Sequence, residues 1–169
     1  IFLNVTGVNS QVIAQNKKGN YIVYGETEDI GLGNLFDSVA RLFGLGFPGG
    51  PTIEKRAMKT KNFIKIPYCV KGMNISCSGI YSFISSRWDK IKMKNEEKEE
   101  FINEICYSLQ ETCFAMLLEI VERAICLTQK KEFVIVGGVA SNKRFIQMAK
   151  SLAKERKIKL KTLPLNLCM

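Results

Sequence analysis

Residues 133–163 read FVIVGGVASNKRFIQMAKSLAKERKIKLKTL. Four β-forming apolar residues (133–136) run into Gly137-Gly138. An amphipathic stretch follows from about Ser141 to Lys154, and a last strand-like run from Ile158 to Leu163 stops at Pro164. Strand, glycine turn, helix, strand is a βαβ unit, whose crossover helix returns the chain to the same end of the sheet and makes the two strands parallel. The chain is therefore α/β, with a partly parallel sheet. Glycines allow close backbone approach, and the first amides of a helix lack partners of their own, so this turn suits a nucleotide's phosphate or base. Asn142 stands where it can hydrogen-bond a nucleoside. The same residues also make a plain βα turn in which Ser141 or Asn142 only caps the helix.

Toward the N-terminus, residues 1–6, 11–16 and 20–26 read as a three-stranded meander around the turns at 7–10 and 17–19. Residues 30–43 have helical apolar spacing. Pro51 fits the first turn of a short helix over 52–60. Residues 63–79 read as loop and strand, 80–88 as helix, and 89–100 as a charged connector in which Asn95 is a possible cap. The longest helix is expected over 97–129. Its stripe of Phe101, Ile105, Leu109, Cys113, Met116, Leu117, Ile120, Ala124 and Leu127 reads as core.

The stretch from Tyr24 to Arg56, YGETEDIGLGNLFDSVARLFGLGFPGGPTIEKR, is the richest in candidate site residues. Gly49 and Gly50 leave bare backbone against which a ligand can lie, and Asp37 and Glu54 are acceptors for hydroxyls. Each carboxylate also has a plain reading, as an exposed helix residue or as an acid favoured by a helix dipole.

The 169 residues fit one domain, 46% of them apolar, which excludes a disordered chain. There is no apolar run long enough for a membrane helix and no signal-peptide pattern. The chain opens on Ile1 inside a strand-like run and reads as part of a longer protein. Its six cysteines (69, 77, 106, 113, 126 and 168) form no CxxC pair. They read as reduced, mainly core cysteines of a cytosolic protein. With no histidine, a Ser-His-Asp or Cys-His machine cannot be built from this chain. The net charge is +9, and between residues 142 and 162 eight basic residues stand against one acid, Glu155. A second cluster holds Lys55, Arg56, Lys59, Lys61 and Lys65. Such patches attract polyanions, or are solvated helix faces.

Five further segments occur in order: VTGVNSQ (5–11), PYCVKGM (67–73), SCSG (76–79), QET (110–112) and VGGVASN (136–142). With the Tyr24–Arg56 stretch they resemble the universal tRNA threonylcarbamoyladenosine synthase family, once called O-sialoglycoprotein endopeptidases. The PYxVKGM form is similar to the archaeal and eukaryotic cytosolic branch. The resemblance covers the whole chain and implies an actin-like ATPase (RNase H-like) domain with a mixed sheet. That domain is one lobe of a two-lobed fold, here residues 1–169, with a helical insertion at about 51–128. It implies transfer of a threonylcarbamoyl group from its adenylate to the exocyclic amine of the adenosine 3′ of the tRNA anticodon. Asp37, Gly50, Glu54 and Asn142 match the nucleoside contacts. Asn4, Val5, Thr6, Gly7 and Val8 match the strand and turn that wrap the substrate's phosphate and acyl end. The hydroxyl, glycine and Asn of that turn form an expected oxyanion cradle. Ser76 and Ser78 lie in a candidate substrate-side loop.

Several positions depart from the family pattern. Val8 replaces a second Gly, Asn4 replaces a metal-binding Tyr, and Asn74 and Cys77 replace Asp and Phe. No residue matches the two metal-binding histidines of the N-terminal lobe. LNLCM (165–169) looks like the segment just before the family's metal-binding Asp. The catalytic set is thus incomplete, with one divalent metal and an adenine nucleotide or threonylcarbamoyl adenylate implied for the whole protein. The implied partners are tRNA and, in a KEOPS-type complex, a small atypical protein kinase and a dimerisation subunit. The implied setting is cytoplasmic, with a nuclear one open. Two other readings stay open: a degenerate non-catalytic subunit kept for assembly or tRNA binding, and an actin-fold small-molecule kinase.

Overall fold

The computed structural model describes residues 1–90 and 95–162. Five strands form the main sheet: β1 (Phe2–Val5), β2 (Ser10–Gln15), β3 (Tyr21–Glu26), β6 (Glu132–Val136) and β7 (Lys159–Thr162), in the order β3-β2-β1-β6-β7. β1, β2 and β3 are an antiparallel meander, while β1–β6 and β6–β7 are parallel. The sheet is mixed for the reason the sequence gives: short turns can only reverse a strand, whereas the connections into β6 and β7 run through helices.

Alternation sends Leu3, Val5, Val12, Ala14, Phe133 and Ile135 to one buried face. That face is covered by α1 (Leu32–Leu42), α4 (Asn95–Thr128) and α5 (Lys143–Glu155), with α2 (Gly49–Ala57) packed between α1 and α4. An aromatic chain ties the helices together: Phe114 of α4 lies 5.9 Å from Phe36 of α1 and 4.8 Å from Phe145 of α5, centroid to centroid. α4 is buried on most of its circumference, since it is wrapped by α2, α5 and β2. The expected apolar stripe is core from Ile105 to Ala124, while Phe101 at its start is half-buried and Leu127 at its end is exposed.

The helix starts differ from expectation. α2 begins at Gly49 rather than 52, with Pro48 as N-cap and Pro51 inside the first turn, where a missing N–H costs nothing. α3 (Ser78–Trp88) begins two residues early, and Asn95 lies within α4 rather than before it. A 3-10 turn at Gly138–Ser141 precedes α5. Of the last strand, Leu163 falls outside the described residues, as does the LNLCM segment with Cys168. Among the described cysteines, Cys77, Cys106 and Cys113 are buried, Cys69 is half-buried and Cys126 is exposed, and all are free. Burial pushes the thiols of Cys77 and Cys106 up to about 12, so they stay protonated and inert. Among the described residues no helix is long and apolar enough to cross a membrane.

A small hairpin, β4 (Val70–Lys71) with β5 (Asn74–Ile75), closes over β3 at Gly25, where any side chain would overlap the Met73 carbonyl. Asn74 suits this place. Its Oδ1 accepts from the Glu26 amide at 3.1 Å and its Nδ2 donates to Glu28, which an aspartate could not do.

Asp29 ties β3 to α3. It accepts from the Ser76 and Ser78 hydroxyls, both at 2.6 Å, and from the Cys77 and Ser78 amides. Desolvation is the largest single influence and raises its pKa, but the four donors together outweigh it and hold the carboxyl well below the usual carboxylate range. A folded-state value below the unfolded one gives stability that is whole above about pH 4 and fades as pH falls further. Asp29→Asn should therefore lower stability by about 1–2 kcal/mol at neutral pH, a range kept low because Asp29 is exposed and screened. Part of the wild-type loss of melting temperature below pH 4 should be absent from the variant. Matching acid melting curves for the two proteins would show that Asp29 contributes nothing.

Candidate functional site

The parallel strands β1 and β6 lie side by side, and their carboxyl ends open into the turns at 6–9 and 137–142. Crevices outside such strand ends are where open α/β sheets bind ligands. Here the crevice is a cleft of about 350 Å³ whose lining includes Gly7, Asp37, Gly50, Glu54, Gly138 and Asn142. Five of the nine expected site residues (Gly7, Asp37, Gly50, Glu54, Asn142) are thus brought to one cavity from β1–β2, α1, α2 and α5. Asn4, Val5, Thr6 and Val8 are not in its lining. Val5 is core, and Asn4 points to the sheet face opposite the helices, between Gln11 and Val136.

Each glycine pair divides its labour. A methyl on Gly49 would sit 2.6 Å from the Phe36 carbonyl oxygen, so this glycine serves the α1–α2 contact and not a ligand, contrary to expectation. Gly137 has φ +97° and faces the Val5 carbonyl, so it serves the β1–β6 seam. A methyl on Gly50 or Gly138 would meet nothing within 4 Å among the described residues, and both glycines face the cleft.

The two carboxylates are aimed by backbone. Asp37 Oδ1 accepts from the Gly49 amide and Glu54 Oε1 from the Lys143 amide, each at 2.7 Å. The second oxygen of each has no partner among the described residues. Two oriented acceptors beside bare backbone can take the hydroxyls of a sugar diol.

Asn142 is first of all a cap. Its Oδ1 accepts from the Phe145 amide at 3.0 Å, and its Nδ2 donates to Gln110 Oε1 at 2.9 Å, both buried. Beside it, Arg144 holds Glu111 with two bonds of 2.6 Å. The QET segment is therefore the dock of α5 on α4.

The hairpin turn differs from the expected cradle. The Thr6 hydroxyl donates to the Asn9 carbonyl, and the Asn9 side-chain oxygen accepts from Thr27 at 2.6 Å. The Thr6 and Gly7 carbonyls cap α1 by accepting from the Gly33 and Asn34 amides. What the turn has left to offer an anion is the amides of Gly7 and Val8, which have no partner among the described residues. Val8 has no positive φ, so replacing a glycine there strains nothing. Ser76 and Ser78 bind Asp29 and do not line the cleft, against expectation.

Sequence reasoning missed Gly33, Phe36, Pro48, Pro51, Val139 and Ser141 as lining residues. The one usable signal was Gly31-Leu32-Gly33. Both glycines press on the 6–8 turn, so this pair reports close packing of the turn on α1.

The residues present do not by themselves fit a metal centre. Among the described residues no three His, Cys, Asp or Glu side chains converge, and Asn4 alone offers one carbonyl oxygen.

The family model "TsaD: tRNA N6-adenosine threonylcarbamoyltransferase" matches residues 1–169. The chain belongs to this family. It is 48% identical over 166 residues to the tRNA N6-adenosine threonylcarbamoyltransferase of Thermococcus sibiricus, covering 98% of this chain and 49% of the relative. The Nanoarchaeum equitans protein of the same name is 46% identical over 164 residues, with 97% and 49% coverage. A probable bifunctional tRNA threonylcarbamoyladenosine biosynthesis protein of Methanothermobacter thermautotrophicus is 41% identical over 168 residues, with 99% and 30% coverage. The chain spans about half the length, or less, of these archaeal relatives. In fold it matches the activator of the 2-hydroxyisocaproyl-CoA dehydratase from Clostridium difficile, solved with bound ADPNP. The TM-score is 0.56 at 16% identity, over 97% of this chain and 53% of that one. The fold is thus the actin-like ATPase type, and the chain matches about half of that neighbour.

The division between the glycines predicts opposite outcomes. Gly137→Ala should cost about 3 kcal/mol, from a strained φ and overlap with Val5. Gly49→Ala should cost about 1–3 kcal/mol. Gly50→Ala and Gly138→Ala should stay within about 0.5 kcal/mol of wild type. Denaturant melts of the four variants give the order, and equal losses at Gly49 and Gly50 would remove the distinction.

Proposed function

We propose that this chain is one lobe of a tRNA threonylcarbamoyltransferase, with residues 51–128 as its helical insertion, and that its cleft holds the adenylate side of the donor. Support comes from the family match over the whole chain and from the names of its archaeal relatives. The observation that carries the reading is a cleft at the ends of β1 and β6, floored by Gly50 and Gly138 and flanked by Asp37 and Glu54. In the proposed reaction the exocyclic amine of a tRNA adenosine forms a bond to the carbamoyl carbon. The bond from that carbon to the adenylate phosphate oxygen breaks, AMP leaves, and the amine gives up a proton.

In this assignment Asp37 and Glu54 accept from the ribose hydroxyls through their unpartnered oxygens. The adenosine lies against Gly50 and Gly138. The Gly7 and Val8 amides face the phosphate, where preorganised donors favour developing negative charge. Asn142 acts mainly by holding the cleft wall in place. A divalent ion belongs to the proposal only with ligands from beyond the described residues, and no step is assigned to it. The proposed partners are tRNA, a small atypical protein kinase and a dimerisation subunit, in a cytoplasmic or nuclear setting. A second reading, a non-catalytic subunit of the same assembly, is favoured by Asn4 pointing away from the cleft.

Calorimetric titration of AMP is the direct test. Wild type should bind weakly, because a cleft of this size with one wall buries little of its ligand. Gly50→Leu should lose at least about fivefold in affinity without a fall in melting temperature. Equal binding by the two proteins would remove the cleft assignment. Incubated alone with threonylcarbamoyl adenylate and unmodified tRNA, the chain should give no product, and turnover would show that the metal-ligand argument is wrong.

A further inference from the structure

The basic residues fall into two groups that composition cannot separate. Four arginines are tied to acids of α4: Arg56 to Glu99, Arg123 to Glu119, Arg144 to Glu111 and Arg156 to Glu122. Arg56, Arg144 and Arg156 fasten the surrounding elements to the long helix, while Arg123 lies on α4 itself and reaches out to the Gly72 carbonyl of the β4–β5 hairpin. Lys61, Lys143 and Lys150 are exposed and have no ion pair among the described residues. These three line cavities that continue the cleft on both sides of the start of α5. One, of about 330 Å³, runs between α2, α4 and α5, is lined by Lys61, Tyr107 and Lys143, and shares Glu54 with the cleft. The other, of about 320 Å³, is lined by Lys143 and Lys150 and shares Ser141 with it. Lys61 lies over the Tyr107 ring, 5.4 Å from its centroid, so its ammonium is held at the groove and not left to roam.

We propose that this groove is the path of the RNA strand past the cleft, with Lys61, Lys143 and Lys150 on its phosphates. The proposal rests on the tRNA reading above and adds where the strand lies. The cleft itself, at about 350 Å³, takes one nucleoside-sized group, so a polynucleotide must lie outside it. Ammonium groups without internal partners are what a phosphodiester chain recruits, because each contact releases condensed counterions. Such contacts set register and carry no sequence reading. The arginines, already bound to carboxylates, have less to offer.

The test compares wild type with Lys61→Gln/Lys143→Gln/Lys150→Gln and with the control Lys17→Gln/Lys18→Gln/Lys90→Gln. The control has the same change in net charge at exposed lysines away from the groove. Binding of fluorescein-labelled unmodified tRNA is measured by anisotropy between 50 and 200 mM KCl. The groove variant should bind about tenfold more weakly or worse, with the slope of log affinity against log salt reduced by roughly 2, while the control stays within about twofold. Equal losses in both variants, or no binding by wild type, would overturn the proposal. So would poly-glutamate competing as well as RNA per charge, which would mark an acidic protein's site. AMP titration of the same three proteins keeps the two readings apart. AMP affinity should stay within about twofold in all three, because Lys143→Gln keeps the backbone amide that aims Glu54. AMP binding with no groove effect on tRNA sinks the groove alone, and tRNA held by the groove lysines with no AMP binding sinks the cleft assignment alone.

Discussion

The buried carboxamide of Asn142 is the joint on which the candidate site depends. It closes the start of α5 through Phe145 and fastens that start to α4 through Gln110. Without a donor, Gln110 would keep a buried oxygen unsatisfied, at a cost of about 1–3 kcal/mol, and the helix would lose its cap, worth about 1 kcal/mol. The joint fixes where the Lys143 amide points, and that amide in turn aims Glu54 into the cleft. The Glu111–Arg144 pair beside it sets the rotation of α5 on α4. A residue that sequence pattern marks as a ligand contact thus acts first by making the wall on which contacts can form.

The cleft exists because several backbones come closer than side chains allow. Gly137 lets β6 turn against Val5, Gly49 lets α2 meet α1, and Gly31 and Gly33 let the first hairpin turn sit on the head of α1. Each approach draws a loop inward. The neighbours Gly50 and Gly138, which carry no such load, are left facing open space. Charge is divided in the same way. Arginines, with their planar multi-donor heads, hold the acids of α4, while lysines remain at the groove with only solvent or an aromatic face beside them.

The departures from the family pattern separate on physical grounds. Val8 is exposed and has no positive φ, so it leaves the turn intact. Asn74 makes one accepting and one donating bond that suit its place between β3 and β5. Cys77 is buried in the core. Asn4 is different: it lies on the far face of the sheet from the cleft, and among the described residues no cluster of acids that could hold a metal stands around it. Three substitutions are absorbed by local structure, whereas Asn4 is left on the sheet face away from the helices.

The meander, the βαβ unit, the long core helix and the family are legible in the order of residues alone. These rest on period and on turn chemistry, which act between residues near in the chain. Residue order also picks out Gly7, Asp37, Gly50, Glu54 and Asn142, which the fold gathers into one cavity. Contacts made only in the folded chain settle what pattern does not carry. Gly49 and Gly50 look alike in sequence, and only the position of α1 makes one a packing contact and the other an open floor. Thr6 and Asn9 look like ligand groups until Thr27, brought in by strand pairing, binds Asn9. The basic residues of 142–162 and the cluster at 55–65 look uniform until the acids of α4 take up Arg56, Arg144 and Arg156. In each case the deciding neighbour is distant in sequence, so its effect appears only when the chain has folded.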